Sequence, residues 1–283
     1  MIVIQWNIQW CRGVDGRVDP KRIVDTARQL ADFDLLCLQE VAVNFPALAG
    51  SLGEDQPFAL ASLLPQYEPV YAPAVDAPGG QETRRRFGNM IFSRYPVLQV
   101  FRHALPWPAH DGVPSMPRAA LEIVVASPQG PLRVVSTHLE YYSDRQRATQ
   151  VERLRDLHAE ACSHARAKPS DRNDEGPFHP YPRPESAIVC GDFNMPGGPE
   201  DPMYARMLEP IPGAPAFVDG WRQANPGLRH PPSFCVHEDS HGDRPYCCDF
   251  VFVTPDLAPR IRGARIDQDT QASDHQPVVV EFG

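Results

Sequence analysis

The chain has 283 residues, of which 42% are apolar, and a formal net charge of −9 at pH 7. This composition is typical of a soluble globular protein with a sizeable core, and no run approaches the roughly 18 apolar residues of a membrane span. The negative charge argues against a protein that depends on non-specific contacts with nucleic-acid phosphates, because such proteins usually carry a basic surface.

The cysteines and the N-terminal residues indicate the cellular compartment. The chain has an odd number of cysteines and no C-x-x-C pair, so neither a zinc ribbon nor a disulfide framework is indicated. Met1 leads directly into the strand-like Ile2-Val3-Ile4, without the basic and apolar regions of a signal peptide. We therefore expect a cytoplasmic protein with reduced thiols.

The first forty residues predict a strand, a helix and a second strand. Residues 2–8 form the first strand, which delivers Asn7 near its end, and Asp19 caps the helix that follows. The apolar run 35–38 is typical of a strand buried on both faces, and this strand finishes at Glu40. A crossover unit of this kind places both strands in one sheet.

The middle of the chain continues with alternating strands and helices. The predicted elements are a helix at 56–64, strands at 67–74, 88–93, 96–103, 118–126 and 132–139, and a long helix that starts near Ser143.

Two segments of the middle region are predicted loops. Residues 76–87 are polar and contain Arg84-Arg85-Arg86. Residues 165–186 are first charged and then rich in proline, and this composition predicts a loop inserted before the strand that ends at Asp192. Loops of this length without internal structure tend to be functional or disordered. The whole chain, residues 1–283, is then a single domain.

The stretch from Ala187 to Asn194 carries the clearest chemical signal. Its apolar first half predicts a buried strand, which the following Met-Pro-Gly-Gly must end. In extended chain Asp192 and Asn194 lie on one face. A carboxylate there suits a hard cation or a water that must lose a proton, and an amide can hold a phosphoryl oxygen. A turn shaped by these two side chains is the alternative.

The last third predicts a helix at 201–208 and strands at 246–253 and 278–282. Strands with helices in both halves of the chain suggest two packed sheets with helices outside. Asp249 lies inside the apolar strand 246–253, where an ionised carboxylate is costly without a partner. Orienting an imidazole would provide that partner.

Polar side chains recur where predicted strands stop. Each one alone has a local alternative, such as a turn cap or a solvated strand end. Because sites form beyond the carboxyl ends of strands in open α/β sheets, we expect these side chains to converge. They are Asn7, Glu40, His138, Asp192, Asn194, Asp274 and His275.

An ordered set of motifs resembles the endonuclease/exonuclease/phosphatase superfamily, which has the DNase I-like fold. The resemblance implies a four-layer α/β sandwich, with two packed, mostly antiparallel mixed sheets flanked by helices. It also implies Mg²⁺- or Mn²⁺-dependent cleavage of phosphoester bonds. The motifs are Trp6-Asn7-Ile8, Leu38-Gln39-Glu40-Val41, Gly88-Asn89-Met90-Ile91-Phe92-Ser93, Ser136-Thr137-His138-Leu139, Gly191-Asp192-Phe193-Asn194 and Ser273-Asp274-His275.

The resemblance implies roles for the acidic and amide residues. Glu40 is the principal metal carboxylate, helped by Asn7 and Asp274. Asp192 orients or deprotonates the attacking water, and Asn194 holds the phosphoryl group. Some family members carry an Asp two residues after the first Asn, where this chain has glutamine, so the number of metal ions is left open.

The resemblance also implies roles for the basic residues. His275 and His138 donate to non-bridging phosphate oxygens. Asp249 orients His275, with His138 as the other candidate. Arg118 lies near the scissile phosphate and binds substrate together with Asn194 and His138. The sequence Thr-His-Leu-Glu at 137–140 resembles the branch with tyrosyl-DNA phosphodiesterases, sphingomyelinases and DNase I.

Three functions compete at this stage. A metal-dependent phosphodiesterase or phosphatase acting on a small or lipid-like phosphoester is favoured by the negative charge. A nuclease or DNA-end-processing enzyme is the alternative, since the three arginines at 84–86 could hold a nucleic-acid backbone. The third is a binding module without activity. The sequence indicates no obligate protein partner.

Overall fold

Two six-stranded β-sheets pack face to face, and helices cover their outer faces. The computed structural model describes residues 1–80, 83–168, 176–238 and 244–283. In spatial order the first sheet contains β11 (Ile261–Ile266), β12 (Val278–Phe282), β1 (Ile2–Asn7), β2 (Leu35–Val43), β4 (Arg84–Ser93) and β3 (Glu68–Pro78). The second contains β5 (Val97–Ala104), β6 (Ala119–Ser127), β7 (Gly130–His138), β8 (Ala187–Asp192), β10 (Asp249–Val253) and β9 (Val218–Asp219).

The helices connect and cover these sheets. They are α1 (Pro20–Leu30), α2 (Gln56–Leu63), α3 (Asp144–Arg166), α4 (Pro202–Leu208) and α5 (Gly220–Ala224). In the described part of the chain, none has the length and apolar character that crossing a bilayer requires.

Both sheets are mixed and mostly antiparallel. The parallel pairs are β1 with β2 and β7 with β8, and a crossover helix joins each pair, α1 in the first sheet and α3 in the second. The side chain of Asp19 caps α1 by accepting from the backbone N–H groups of Lys21 and Arg22. The predicted crossover unit and the predicted four-layer architecture are confirmed.

Successive side chains of the central strands alternate between two apolar layers of the core. In β1, Ile4 and Trp6 pack in a cluster with Ile23 of α1, whereas Val3 belongs to the cluster between the sheets. Successive side chains of a strand point to opposite faces, so a strand covered on both faces is apolar throughout.

The layer between the sheets becomes polar toward one end. Gln5 Nε2 donates to Asp249 Oδ1 at 2.7 Å, and Gln39 Nε2 donates to Ser136 Oγ at 2.9 Å. Each bond joins a strand of the first sheet to one of the second and satisfies a buried polar group. The parallel strands of both sheets end here, and the candidate site lies at this end.

Two predicted loops differ in the structure. Helix α3 continues to Arg166, so the predicted insertion 165–186 starts inside the helix. Residues 169–175 lie outside the described residues, and the described segment 176–186 contains no helix or strand. Within it, Arg183 pairs with the buried Glu122 at 3.0 Å and with Glu160 at 2.7 Å. Arg84 belongs to β4, not to a loop.

Gly191 holds β8 close to β7. It has φ +151°, and a Cβ placed on it would lie 1.9 Å from the carbonyl oxygen of Thr137, its partner in the register. We expect Gly191→Ala to lower the free energy of unfolding by about 2–3 kcal/mol, because the strands must separate. Denaturant unfolding measures this change. Gly263→Ala, at a position with open space around it, is the control; equal stability of the two variants would contradict the close approach.

Candidate active site

The polar side chains singled out in the sequence converge at one cavity of about 360 Å³. Asn7 is buried beside this cavity, and Asp249 lies behind His275. The remaining predicted residues line the cavity directly: Glu40, Arg118, His138, Asp192, Asn194, Asp274 and His275.

Asn7, the last residue of β1, joins two acidic groups from different sheets. Its Nδ2 donates to Glu40 Oε1 at 3.1 Å and to Asp192 Oδ2 at 2.9 Å. Its Oδ1 accepts from the backbone N–H of Gln9 at 3.1 Å. One neutral amide thus separates two carboxylates that would otherwise repel each other at short range.

Glu40 lies inside β2 and not at its end, so the predicted strand end was wrong. The register between β2 and β4 shifts between Leu38 and Val41, and Glu40 has φ +62°. Strict alternation would point Glu40 toward the helices, as it does Leu38. The extra residue of this β-bulge turns the carboxylate into the site instead.

Asp192 ends β8, and the chain turns immediately after it. Its Oδ1 accepts from the backbone N–H of Asn194 at 2.9 Å, and Asn194 has φ +50°. This local turn replaces the predicted extended geometry. Asn194 Nδ2 donates to the carbonyl of Leu139 at 2.9 Å. Both side chains still line the cavity.

His275 is held by an acidic partner behind it. Its Nδ1 lies 2.8 Å from Asp249 Oδ2, which also accepts from Ser233 Oγ at 2.7 Å. Its Nε2 faces the site, 3.6 Å from Asp192 Oδ2. Burial opposes protonation, but the negative charges of Asp249 and Asp192 raise the pKa of His275 well above its usual value. These charges therefore favour the protonated, hydrogen-bond-donating form of His275.

His138, the last residue of β7, has the opposite electrostatic environment. Its Nε2 lies 3.4 Å from Asp192 Oδ2 and 3.9 Å from Glu40 Oε1. Burial, and then the positive charges of Arg118 and His275, lower its pKa well below the usual value. The pKa values of the two imidazoles are thus shifted in opposite directions, and Asp249 is paired with His275, not with His138.

Arg118 lines the cavity and carries a buried donor without a hydrogen-bond partner. Its Nε donates to Glu140 Oε2 at 3.3 Å, and its Nη1 is buried with no hydrogen-bond partner. Glu140 is itself fully buried, and its other oxygen accepts from the backbone N–H of Tyr142 at 3.0 Å. An anion such as a phosphoryl group would satisfy the remaining guanidinium donor.

The carboxylates of the site are crowded. Burial and then the charge of Asp274 raise the pKa of Glu40 to about 7. Burial and the charge of Asp249 raise the pKa of Asp192 to about 6, against the opposing charge of His275. Carboxylate oxygens are the donors that a hard divalent cation prefers, and its charge would relieve the repulsion.

A second set of possible ligands lies deeper. Among the described residues, ligand atoms of Asp192, Cys248 and His275 lie within 4.8 Å of one another. Cys248 is fully buried, and burial and then the charge of Asp192 raise its thiol pKa well above normal. A protonated thiol is a poor ligand for a hard cation, so the oxygen donors fit Mg²⁺ or Mn²⁺ better.

Several residues that support the site were not predicted from the sequence. Ser233 is in a loop and carried no signal. Gln5 was detectable as a polar residue at an inward position of β1, two before Asn7. Gln9 donates through Nε2 to Asp274 Oδ2 at 2.6 Å. Glu140 directly follows the Thr-His-Leu motif, so its carboxylate could have been predicted as the partner of the Arg118 guanidinium.

Comparisons with known proteins bear on the family and the fold of the chain. A family model described as "Endonuclease/Exonuclease/phosphatase family" matches residues 4–275. An endonuclease/exonuclease/phosphatase from Beutenbergia cavernae DSM 12333 has a similar structure, with a TM-score of 0.68 and 24% identity, over 100% of this chain and 72% of that chain. No curated protein sequence matches the chain.

Two further solved structures share the fold. A mannosyl-6-phosphatase, Bt3783, from Bacteroides thetaiotaomicron VPI-5482 has a TM-score of 0.65 and 18% identity, over 100% of this chain and 99% of that chain. Truncated TDP2 from Caenorhabditis elegans has a TM-score of 0.66 and 14% identity, over 99% of this chain and 96% of that chain. At these identities the likeness establishes the fold.

The raised pKa of Glu40 predicts a pH-dependent stability. Without divalent cations, the pKa of Glu40 is about 7 in the folded protein and has its ordinary value of 4.5 in the unfolded chain. Between these two values the folded protein keeps a proton that the unfolded chain has lost. The free energy of unfolding therefore falls as the pH rises through about 7, and Glu40→Gln should remove about 2 kcal/mol of that fall.

Denaturant unfolding of the metal-free protein at pH 5 and pH 8 measures the difference. Asp156→Asn, which changes an exposed carboxylate on α3, should keep the wild-type pH dependence. An unchanged pH dependence in Glu40→Gln would show that this carboxylate does not titrate as described.

Proposed function

The chain belongs to the endonuclease/exonuclease/phosphatase family, whose members are hydrolases of phosphoester bonds, and we propose that it is a divalent-metal-dependent hydrolase of a small or lipid-like phosphoester. The observation that carries the proposal is the convergence of Glu40, Asp192 and His275 at one cavity. The net charge of −9 favours a small or lipid-like substrate over nucleic acid.

Glu40 would hold the cation, with Asn7 and Asp274 as further oxygen donors. A bound Mg²⁺ or Mn²⁺ supplies Lewis-acid polarisation of a phosphate oxygen. The oxygen donors of these residues support the binding of a cation. Asp274 is close enough to Glu40 for its charge to raise the pKa of Glu40, and a cation would offset this repulsion.

Asp192 and His275 would perform the proton transfer and the charge stabilisation. The pKa of Asp192, about 6, suits a group that takes a proton from water near neutral pH. The water oxygen bonds to phosphorus as the ester P–O bond breaks, and the leaving alkoxide takes a proton from solvent while Asp192 later returns its proton to solvent. The protonated His275 donates from Nε2 to a non-bridging oxygen, where negative charge increases in the transition state.

Arg118, Asn194 and His138 would bind the phosphoryl group. The unpaired Nη1 of Arg118 supports this role most strongly, since a buried donor without a partner is costly until a ligand satisfies it. Glu140 holds the guanidinium from the opposite nitrogen, so it acts on substrate only through Arg118.

The nuclease alternative has less support. Arg84 and Arg86 pair with Asp76 on the neighbouring strand, at 2.7 and 3.6 Å. Neither arginine is among the residues that line the cavity. A gel shift at low salt addresses this alternative directly, and we expect no retention of DNA.

We also propose that the chain works as one domain, because Asn7 near its start and His275 near its end contribute to the same site. A cytoplasmic location is proposed as well. It is supported by the cysteines, which are all buried and without disulfides.

Substitution of the two central groups should abolish most of the activity. Asp192→Asn removes the proton acceptor and His275→Ala removes the cationic donor, so each should lower kcat about 10²–10⁴-fold. Hydrolysis of bis-p-nitrophenyl phosphate with Mg²⁺, and its loss on chelation, provides the assay. The matched controls Asp156→Asn and His164→Ala change exposed residues of α3. Near-normal turnover in either site variant would refute its role.

Arg118 should be sensitive even to a change that keeps its charge. Lysine cannot present two donors in a fixed fork, so Arg118→Lys should raise KM and weaken inhibition by inorganic phosphate, each about tenfold. Arg262→Lys, at an exposed position of β11, should change neither value. Unchanged phosphate inhibition in Arg118→Lys would mean that this guanidinium does not contact the substrate.

A further inference from the structure

Much of the cavity lining is apolar. The charged groups described above form one part of it, and a second part, here called the apolar wall, carries aromatic and other apolar side chains. The apolar wall consists of Trp10, Phe87, Pro114, Met116, Tyr142 and Phe234. Trp10 and Phe87 belong to segments of the first sheet, whereas Pro114, Met116 and Tyr142 lie on connections of the second.

Trp10 is placed on the wall by an unusual backbone. Gln9, Trp10 and Cys11 have φ values of 43°, 42° and 62°, so three successive residues adopt the left-handed region without glycine. This conformation is energetically unfavourable for side chains with a Cβ. Gln56 Nε2 stabilises it by donating to the carbonyl of Trp10 at 2.6 Å. The turn brings the side chains of Gln9 and Trp10 to the cavity.

Two polar groups of this part of the lining are already engaged within the protein. Trp10 Nε1 donates to the carbonyl of Ala49 at 2.9 Å. Ser115, which also lines the cavity, accepts at Oγ from Trp107 Nε1 at 2.9 Å. Phe87 and Met116 carry no strong donor or acceptor. The wall therefore offers mainly apolar contact area, with the hydroxyl of Tyr142 as its hydrogen-bonding group at the exposed edge.

Tyr142 contributes aromatic surface at the mouth of the cavity. Its exposed fraction is 62%, so most of its ring is available to a ligand. The ring of Tyr141 packs edge-on against it at 4.7 Å between centroids. Its backbone N–H is held by Glu140, the residue that also holds Arg118. The aromatic surface and the phosphate-binding guanidinium are thus fixed by one carboxylate.

We propose that the substrate is a phosphoester whose alcohol part carries a flat, apolar ring, and that Trp10 and Tyr142 contact this ring. The proposal rests on the proposed function for the position of the phosphate, beside Arg118. A hexose phosphate fits less well, because Trp10, Phe87 and Met116 offer no partners to the hydroxyl groups that would face them, and these hydroxyl groups would lose their hydration.

Three primary alkyl esters test the preference: benzyl phosphate, methyl phosphate and a hexose 6-phosphate. Their leaving groups are all primary alkoxides, so differences in kcat/KM report mainly on contacts with the organic group. We expect benzyl phosphate to exceed both others by about tenfold or more, as burial of a ring implies. Equal or faster hydrolysis of the hexose phosphate would overturn the proposal.

Variants connect the preference to the wall. Trp10→Ala and Tyr142→Ala should each reduce the benzyl-to-methyl ratio of kcat/KM by about threefold or more. Phe58→Ala, which removes an exposed aromatic ring from α2, should leave that ratio at the wild-type value. An unchanged ratio in both wall variants would place the ring elsewhere and overturn the assignment.

A binding measurement separates this proposal from the proposed function. Benzylphosphonate and methylphosphonate cannot be hydrolysed at the P–C bond by this chemistry, so calorimetry with Mg²⁺ present compares their affinities without turnover. We expect at least about tenfold tighter binding of benzylphosphonate. If this holds while no ester is hydrolysed, the proposed function fails and the ring site stands. Equal affinities would overturn the ring site whatever the activity.

Discussion

The amide of Asn7 lies between the carboxylates of Glu40 and Asp192, and the rest of the site depends on how this crowding of buried acids is relieved. Each carboxylate comes from a different sheet, so the repulsion acts across the interface that holds the molecule together. The protonated imidazole of His275 relieves part of it. A divalent cation beside Glu40 would relieve more, which connects the proposed chemistry to the stability of the fold.

Irregular backbone places several of the side chains in the site. Glu40 reaches it through a β-bulge with φ +62°, and Asn194 has φ +50°. The left-handed turn around Trp10 adds aromatic surface to the cavity wall. Non-glycine residues in this region are unfavourable alone and persist only where surrounding contacts determine them. Regular strands therefore supply the frame, and local departures from regularity direct the functional groups.

The sequence predicted the layers and the members of the site better than their local geometry. Continuous apolar runs and a capped helix were enough to predict β1, α1 and β2. A strand that is buried on both faces is apolar at every position, and this pattern is easily recognised in the sequence. The convergence of Asn7, Asp192 and His275 was predictable, since each lies next to a strand terminus. The bulge at Glu40 was not, because a one-residue register shift is set by pairing with β4.

Supporting contacts were the least predictable part. Ser233 reaches Asp249 from a loop, and nothing in its neighbours marks it as a partner. Glu140 and Arg118 form a buried pair whose members are far apart in the chain. Strands β9 and β11 were not predicted from the sequence. Strand β9 has only two residues, and β11 is an edge strand with interspersed charges, so neither has a strong strand pattern. Such features depend on tertiary contacts that single-sequence periodicity does not record.

The proposed chemistry requires that Glu40 and its neighbours bind a hard divalent cation. Calorimetric titration of Mn²⁺ into the wild-type protein and into Glu40→Gln measures this binding, with Glu68→Gln on β3 as the exposed control. We expect saturable binding that Glu40→Gln weakens at least about tenfold and Glu68→Gln leaves unchanged. Equal Mn²⁺ affinity in wild type and Glu40→Gln would contradict it.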